Sequence, residues 1–188
     1  MGKKYIRIVA GQYRRTQIEV VEATGLRPTP DRVRETLFNW LTHLWGGEFD
    51  DKQALDLFAG SGALGFEAAS RGIRRVQIVE QDRQALSALR NLKAKLDADQ
   101  VDIHAGDAIS YIQTTSQSSF DLVMLDPPFS GGWLEKLWPL LPKLLATDAL
   151  VYVESGKPLE IPDNFKILRQ DRAGVVHYSL IQFVALQK

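Results

Sequence analysis

The sequence predicts an α/β fold: a mostly parallel sheet of seven strands with helices on both faces and an antiparallel hairpin at one edge. An N-terminal β-hairpin and a helix precede it. Three observations carry this expectation. From Ala54 onward, short apolar runs alternate with helical patterns, the order that builds parallel sheets. The first run enters a glycine-rich turn, Gly60-Ser61-Gly62-Ala63-Leu64-Gly65, that opens a helix. The last two runs, Phe165 to Arg169 and Val176 to Leu186, have only Asp171 to Gly174 between them, the length of a hairpin connection. A chain of 188 residues suffices for one well-packed domain, with residues 1–47 read as an extension and 48–188 as its core.

Taken in order, Tyr5-Ile6-Arg7-Ile8-Val9 and Thr16-Gln17-Ile18-Glu19-Val20 each alternate in strand fashion around Gly11 and Arg14-Arg15, which predicts a hairpin. Thr29 is placed to cap a helix whose first turn holds Pro30 and Asp31. That helix aligns Val33, Leu37, Trp40, Leu41 and Leu44 and stops at Gly46-Gly47. The run Ala54 to Ala59 is a buried strand, followed by the glycine turn and a helix to Arg71 closed by Gly72. Val76 to Val79 is a strand ending at Glu80, and its helix turns Leu86, Leu89, Leu92 and Leu96 inward. Val101 to His104 leads to Gly106-Asp107-Ala108 and a brief helix; Phe120 to Leu125 and Leu150 to Val153 are two further strands. Trp133 and Trp138 fall on a predicted helix and read as core packing.

Composition narrows the function. Hydrophobic residues make up 45% and charged residues 24%, ordinary values for a globular protein. No run is long enough to span a bilayer, and Lys3-Lys4 precedes no signal-peptide core, so a cytoplasmic location is expected. The absence of cysteine excludes disulfides, thiolate catalysis and zinc-thiolate sites. Three scattered histidines, His43, His104 and His177, predict no metal. Net charge is zero, yet residues 1–34 hold eight Lys or Arg against three Asp or Glu. Such a split suits nucleic-acid contact near one end, and equally a solvated basic terminus.

The most demanding stretch is Asp126-Pro127-Pro128-Phe129, at the carboxyl end of an apolar strand. An exocyclic amine on a base is a poor nucleophile because its lone pair is delocalised. The Asp126 carboxylate and the Pro127 carbonyl can each accept one N–H and stabilise the charge that nitrogen gains. The prolines fix φ and keep these acceptors from relaxing away, and Phe129 can stack on an extruded base. Asp126, Pro127, Pro128 and Phe129 are therefore the candidate catalytic residues. The plainer alternative is a strand end punctuated by turn formers.

The glycine spacing with Glu80 at the next strand end fits a dinucleotide site. Asp56, four residues before Gly60, opposes a pyrophosphate and favours a cationic ligand. S-adenosylmethionine, with a sulfonium, an amine and no phosphate, meets that demand, and Asp107 is placed for the adenine amine. Asp56 and Asp107 also serve as ordinary caps or turn formers. The candidate donor site comprises Asp56, Phe58, Ala59, Gly60, Ser61, Gly62, Glu80, Gln81, Asp107, Ala108 and Asp126.

Arg27-Pro28-Thr29, Asp31-Arg32-Val33-Arg34-Glu35, Leu37-Phe38-Asn39, the segment Asp56 to Gly65, Glu67-Ala68, Ser70-Arg71-Gly72 and Asp126-Pro127-Pro128-Phe129 together resemble the RsmD family of 16S ribosomal RNA guanine-N2 methyltransferases. The resemblance implies a Rossmann-like, S-adenosylmethionine-dependent methyltransferase acting on 16S ribosomal RNA within the small subunit or an assembly intermediate. It releases S-adenosylhomocysteine. Arg7, Tyr13, Arg14, Arg15, Arg27, Thr29, Arg32 and Arg34 are the expected RNA contacts. Relatives typically show Arg-Gly-Arg in the first hairpin, where this chain has Arg14-Arg15-Thr16, which bears on RNA docking and not on the chemistry. Rival readings are an adenine-N6 or cytosine-N4 methyltransferase on DNA or other RNA, a nicotinamide-dependent oxidoreductase, and an RNA-binding assembly factor.

Overall fold

Seven strands of the computed structural model form one sheet, and it describes residues 4–21, 29–116 and 119–184 of the chain. The strands are β3 (Gln53–Asp56), β4 (Arg75–Glu80), β5 (Val101–Ala105), β6 (Phe120–Leu125), β7 (Leu145–Ser155), β8 (Phe165–Ala173) and β9 (Val176–Phe183). Their spatial order is β5-β4-β3-β6-β7-β9-β8. All pairings from β5 to β7 are parallel, whereas β9 runs antiparallel to both β7 and β8. The chain lays β4 and β5 outward on one side of β3, then returns to place β6 on the other side. That reversal opens a crevice at the carboxyl ends of β3 and β6.

Each central strand is buried on both faces, so its apolar run is nearly continuous. In β6, Leu122 and Met124 join one core cluster while Val123 and Leu125 join the other. Helices α2 (Ala63–Ser70) and α3 (Arg83–Leu96) bring Phe66, Leu89 and Leu92 to the first cluster, and α4 (Ala108–Thr114) brings Ile112 to the second. The short α5 (Trp133–Leu137) seats Leu137 there as well. The edge hairpin is longer than expected: β8 continues to Ala173, so only Gly174 and Val175 turn the chain. Asp171 belongs to the strand, where it accepts the Tyr178 hydroxyl at 2.9 Å.

The described residues among 4–47 lie against this core. Strands β1 (Lys4–Arg7) and β2 (Gln17–Val20) pair antiparallel in a sheet of their own. Their connection docks on α2: Gln12 N–H donates to the Ser70 carbonyl at 2.7 Å and Tyr13 N–H to the Ser70 hydroxyl at 2.9 Å. Gly11 makes this approach possible. Its φ is +81°, and a Cβ there would stand 1.8 Å from the Ser70 carbonyl oxygen. Helix α1 (Asp31–Leu44) buries Val33, Leu37, Phe38 and Leu41. Leu44, expected inside, is exposed, and Trp40 stacks on Tyr178 of β9 at 5.6 Å.

Two expectations for α1 are corrected. Thr29 does not cap it; Pro30 occupies that position without a side-chain bond, and the Thr29 hydroxyl turns inward. Arg34 is fully buried. It donates to the Thr29 carbonyl at 2.6 Å and the Arg7 carbonyl, and pairs with Asp31 at 2.9 Å and Glu67 at 3.7 Å. Glu67, equally buried in α2, accepts the N–H groups of Val9 at 2.8 Å and Ala10 at 3.1 Å, with Arg71 at 2.8 Å. No helix among the described residues is long and apolar enough to cross a membrane.

Truncating Glu67 would leave two backbone donors and the Arg71 guanidinium without their acceptor and remove one of the two carboxylates that face the buried Arg34. Glu67→Ala should therefore lower unfolding free energy by about 3–5 kcal/mol, read by urea titration.

Candidate active site

A cleft of about 840 Å³ occupies the crevice at the sheet reversal. Phe58, Gly60, Glu80, Gln81, Asp107, Ala108, Asp126, Pro127, Pro128 and Phe129 all line it, so most of the predicted catalytic and donor-site residues converge there. A narrow recess beside it is walled by Thr29, Phe58, Ala59, Gly60, Ser61 and Asp126. Gly62 stands at the N-terminus of α2 with φ +80°, where a Cβ would lie 2.5 Å from Leu89 Cδ2. Gly65 lets the helix close on the sheet, since a Cβ would meet Ile78 Cδ1 at 2.8 Å.

Carboxylates hold the loops of this cleft. Glu80, at the end of β4, accepts Gly60 N–H at 2.7 Å on one oxygen and Gln81 and Asp82 N–H, both at 2.8 Å, on the other. It clamps the glycine turn to the next strand end. Asp107 caps α4 by accepting Ser110 N–H at 3.0 Å, and bonds from Ser110 hold its carboxyl below the usual range. Asp56 departs from expectation. It lies under the glycine turn, 1% exposed, and accepts Gly65 N–H at 3.0 Å. Its Oδ1 has no hydrogen-bond partner in the structure. Burial pushes its pKa up to about 7; the Gly65 and Phe58 amides oppose this, and Glu80 and Glu154 add to it.

Sequence reasoning missed Glu154 and Tyr152. Both project from β7, beside β6, and the Glu154 carboxylate oxygen Oε1 accepts the Thr29 hydroxyl at 2.7 Å and the Tyr152 hydroxyl at 2.9 Å. The Thr29 hydroxyl oxygen also stands 3.5 Å from Asp126 Oδ2. Asp126 and Glu154 are both raised above ordinary carboxylates, chiefly by burial, and for Asp126 also by the charges of Glu154 and Asp56. The signal was a glutamate closing the apolar run Leu150-Val151-Tyr152-Val153, a costly place for a charge without a role.

Aromatic groups form the other wall. Phe129 is 55% exposed at the mouth, its ring packed on Gly156, where a Cβ would come within 3.0 Å. Trp133, expected as core packing, packs half-buried on the second core cluster and also lines the cleft, meeting Phe58 edge-on at 5.5 Å. Trp138 does pack inward, 5.5 Å from Phe165. The cleft thus combines aromatic walls with Glu80, Asp126 and Glu154, while Asp56 lies buried beneath the glycine turn; Arg34 partly offsets the burial that raises Glu154. This arrangement suits a cationic ligand with a planar ring and opposes a pyrophosphate.

The expected RNA contacts divide. Arg14, Arg15 and Arg32 are exposed, and Arg7 is exposed while paired to Asp31 at 2.9 Å. Tyr13 is buried with its hydroxyl near Gln100, and Thr29 and Arg34 are buried; these three cannot reach RNA from the surface. Arg27 lies outside the described residues. A groove of about 670 Å³ runs between the hairpin and α3, past Lys4, Tyr5, Gln17, Asn91 and Lys95, and reaches Ser61.

Residues 6–182 match the model of the family described as Conserved hypothetical protein 95. The Ribosomal RNA small subunit methyltransferase D of Haemophilus influenzae is 40% identical over 188 residues, covering 96% of this chain and 95% of that protein. Its namesake in Escherichia coli is 42% identical over 187 residues, covering 96% and 91%. Among solved structures, a putative methyltransferase, yhhF, from Escherichia coli superposes with TM-score 0.84 at 41% identity, covering 97% of this chain and 99% of that one. A putative methylase from Haemophilus influenzae gives 0.80 at 34% identity, covering 96% and 99%.

The buried acids set a pH dependence of known sign. With Asp56 raised from 3.8 to about 7, the folded protein keeps a proton that the unfolded chain releases. Its contribution is fully present below about pH 4 and is lost as pH rises through about 7. Urea unfolding of the free protein should show stability falling across this window, with a smaller fall in Asp56→Asn.

Proposed function

This chain belongs to the RsmD family, and from that membership we propose that it is an S-adenosylmethionine-dependent methyltransferase acting on the N2 amine of a guanine in 16S ribosomal RNA. The observation that carries the reading is the position of Asp126-Pro127-Pro128-Phe129: it ends β6 at the sheet reversal, inside the acidic cleft, with Phe129 exposed at the mouth. The names of the relatives support a small-subunit ribosomal RNA substrate. Guanine N2 rests on the family resemblance of the motifs.

The cleft fits the donor. The carboxylates of Glu80, Asp126 and Glu154 line it, Asp56 adds its carboxyl from beneath the turn, and together they match a ligand carrying ammonium and sulfonium charge. Gly60, Ser61 and Gly62 would face it from the turn, with Glu80 and Gln81 toward the ribose, Asp107 and Ala108 toward the adenine, and Phe58 against its ring. When bound, S-adenosylmethionine supplies an electrophilic methyl group and leaves as S-adenosylhomocysteine.

The remaining steps belong to the protein. Phe129 stacks on the extruded guanine, as aromatic rings do with unstacked bases. Asp126 and the Pro127 carbonyl each accept one N–H of the amine, aim its lone pair, and stabilise the charge that nitrogen gains. Pro128 has no N–H to compete for that carbonyl, and the two fixed φ angles preorganise the pair. Phe58 and Trp133 exclude water from one wall.

RNA would be met by the exposed Arg14, Arg15 and Arg32, with the groove between the hairpin and α3 receiving backbone and stacked bases. In this reading residues 1–47 are the docking arm, 48–188 the catalytic core, and the small subunit or an assembly intermediate in the cytoplasm presents the guanine.

Incubation with labelled S-adenosylmethionine and small subunits lacking the modification, with free 16S RNA and duplex DNA in parallel, tests this by nucleoside analysis. Label is expected in N2-methylguanine; label in methylated adenine or cytosine overturns the choice of base. Asp126→Ala should lower turnover about a hundredfold or more while retaining donor binding by calorimetry, and near-normal turnover would remove Asp126 from the mechanism.

A further inference from the structure

We propose, resting on the methyl-transfer reading above, that Thr29 and Glu154 form a proton relay behind Asp126 and empty it after each transfer. A hydroxyl has one proton to donate. Thr29 gives its proton to Glu154 Oε1 at 2.7 Å, so the lone pairs of Thr29 Oγ1 are what Asp126 Oδ2 meets at 3.5 Å. That contact is attractive when Asp126 carries a proton. Thr29 is 3% exposed and fixed by Arg34, which donates to its carbonyl at 2.6 Å, so the hydroxyl is held between the two carboxylates. Tyr152 donates to the same Glu154 oxygen at 2.9 Å and steadies the receiving end.

The bookkeeping of the step is complete. The N–C bond forms as the methyl–sulfur bond breaks, the sulfonium becomes a neutral sulfide, and the amine nitrogen takes the positive charge. It releases a proton to Asp126. Asp126 Oδ2 then donates that proton to Thr29 Oγ1 as Thr29 passes its own to Glu154 Oε1. Asp126 ends ionised, Glu154 neutral, and the neutral methylamine remains on the base. Glu154 lines the open cleft, from which the proton can leave once product has gone.

The electrostatics divide the work: like charges make Asp126 the stronger base, which takes the amine proton, and the donors around Glu154 make it the weaker base, which releases the proton to water. Asp126 is faced by Glu154 from β7 and Asp56 from β3, with Thr29 ahead of α1. Glu154 is faced by Tyr152 on its own strand and by Arg34 from α1, and Tyr178 of β9 lies behind Tyr152. Asp126 therefore has two like charges beside it, whereas Glu154 has two hydroxyl donors and a guanidinium. Thr29 and Glu154 act through Asp126 and are positioning residues.

The test uses Thr29→Val, Thr29→Ser and Glu154→Gln in the full-length protein, comparing the first turnover with steady state. Thr29→Val and Glu154→Gln are expected to slow steady-state turnover about tenfold or more, the first turnover much less, and Thr29→Ser to restore both rates. Equal slowing of both phases, or of neither, overturns the relay, because a merely structural role moves them together. Infrared titration of the protonated carboxyl band in the free protein gives an independent reading. Glu154→Gln should bring the Asp126 titration down toward ordinary carboxylates, and an unchanged titration overturns the shared site. That measurement decides the pairing even if no RNA accepts a methyl group, which would instead remove the reading on which the relay rests.

Discussion

The rest of the structure depends on the buried Glu67 carboxylate and its pairing with Arg34. Taking both charges out of water costs several kcal/mol per ion, and only a dense set of donors offsets it. Glu67 has them in Val9 N–H, Ala10 N–H and Arg71, all within 3.1 Å. These bonds tie the hairpin to α2, the helix whose N-terminal turn is the glycine loop. Arg34 extends the connection to Arg7 and Thr29. The arm and the cleft are thus parts of one polar network: a displacement of the hairpin would be felt at Glu67, then Arg34, then Thr29 beside Asp126. The apolar contacts of Ile8, Ile18, Leu37 and Phe38 with the core are non-directional, and these polar bonds are what fix the position of arm on core.

How legible this was in the sequence follows from the range of each signal. The strand-and-helix alternation, the glycine turn and Asp126-Pro127-Pro128-Phe129 are local patterns, and the sheet, its edge hairpin and the crevice came out as those patterns predict. The Glu154–Thr29 bond joins residues 125 apart, and no periodicity announces such a pair. Thr29 before Pro30 reads as a helix cap because local spacing favours one; instead the hydroxyl donates to the buried Glu154 carboxylate, which turns it away from the N–H groups a cap would accept. Arg34 was counted with the basic surface, since charge totals do not separate a solvated arginine from an interior one. Yet Arg34, Leu37, Phe38 and Leu41 fall at helical spacing on one stripe, and that stripe is what the structure buries. Asp56 shows the opposite limit. Its place near the donor site was readable, but its descent beneath the turn depends on Gly65 allowing α2 to close on β4.

The acids explain why the site is built at a cost. Asp56, Asp126 and Glu154 all hold protons more tightly than carboxylates in water, so the acids in and beneath the cleft resist ionisation. A cationic ligand relieves that resistance, and relief is the same as affinity: each carboxylate that ionises on binding adds Coulomb attraction in a poorly solvated site. On the proposed reading the advantage is asymmetric in time. The donor enters with a sulfonium charge and its remnant leaves without it, while the amine proton delivered to Asp126 removes one negative charge from the cleft. Both changes weaken the hold on what remains. A neutral or apolar cleft could bind the adenine ring equally well before and after transfer, and would keep the product; the buried acids couple the completion of chemistry to release.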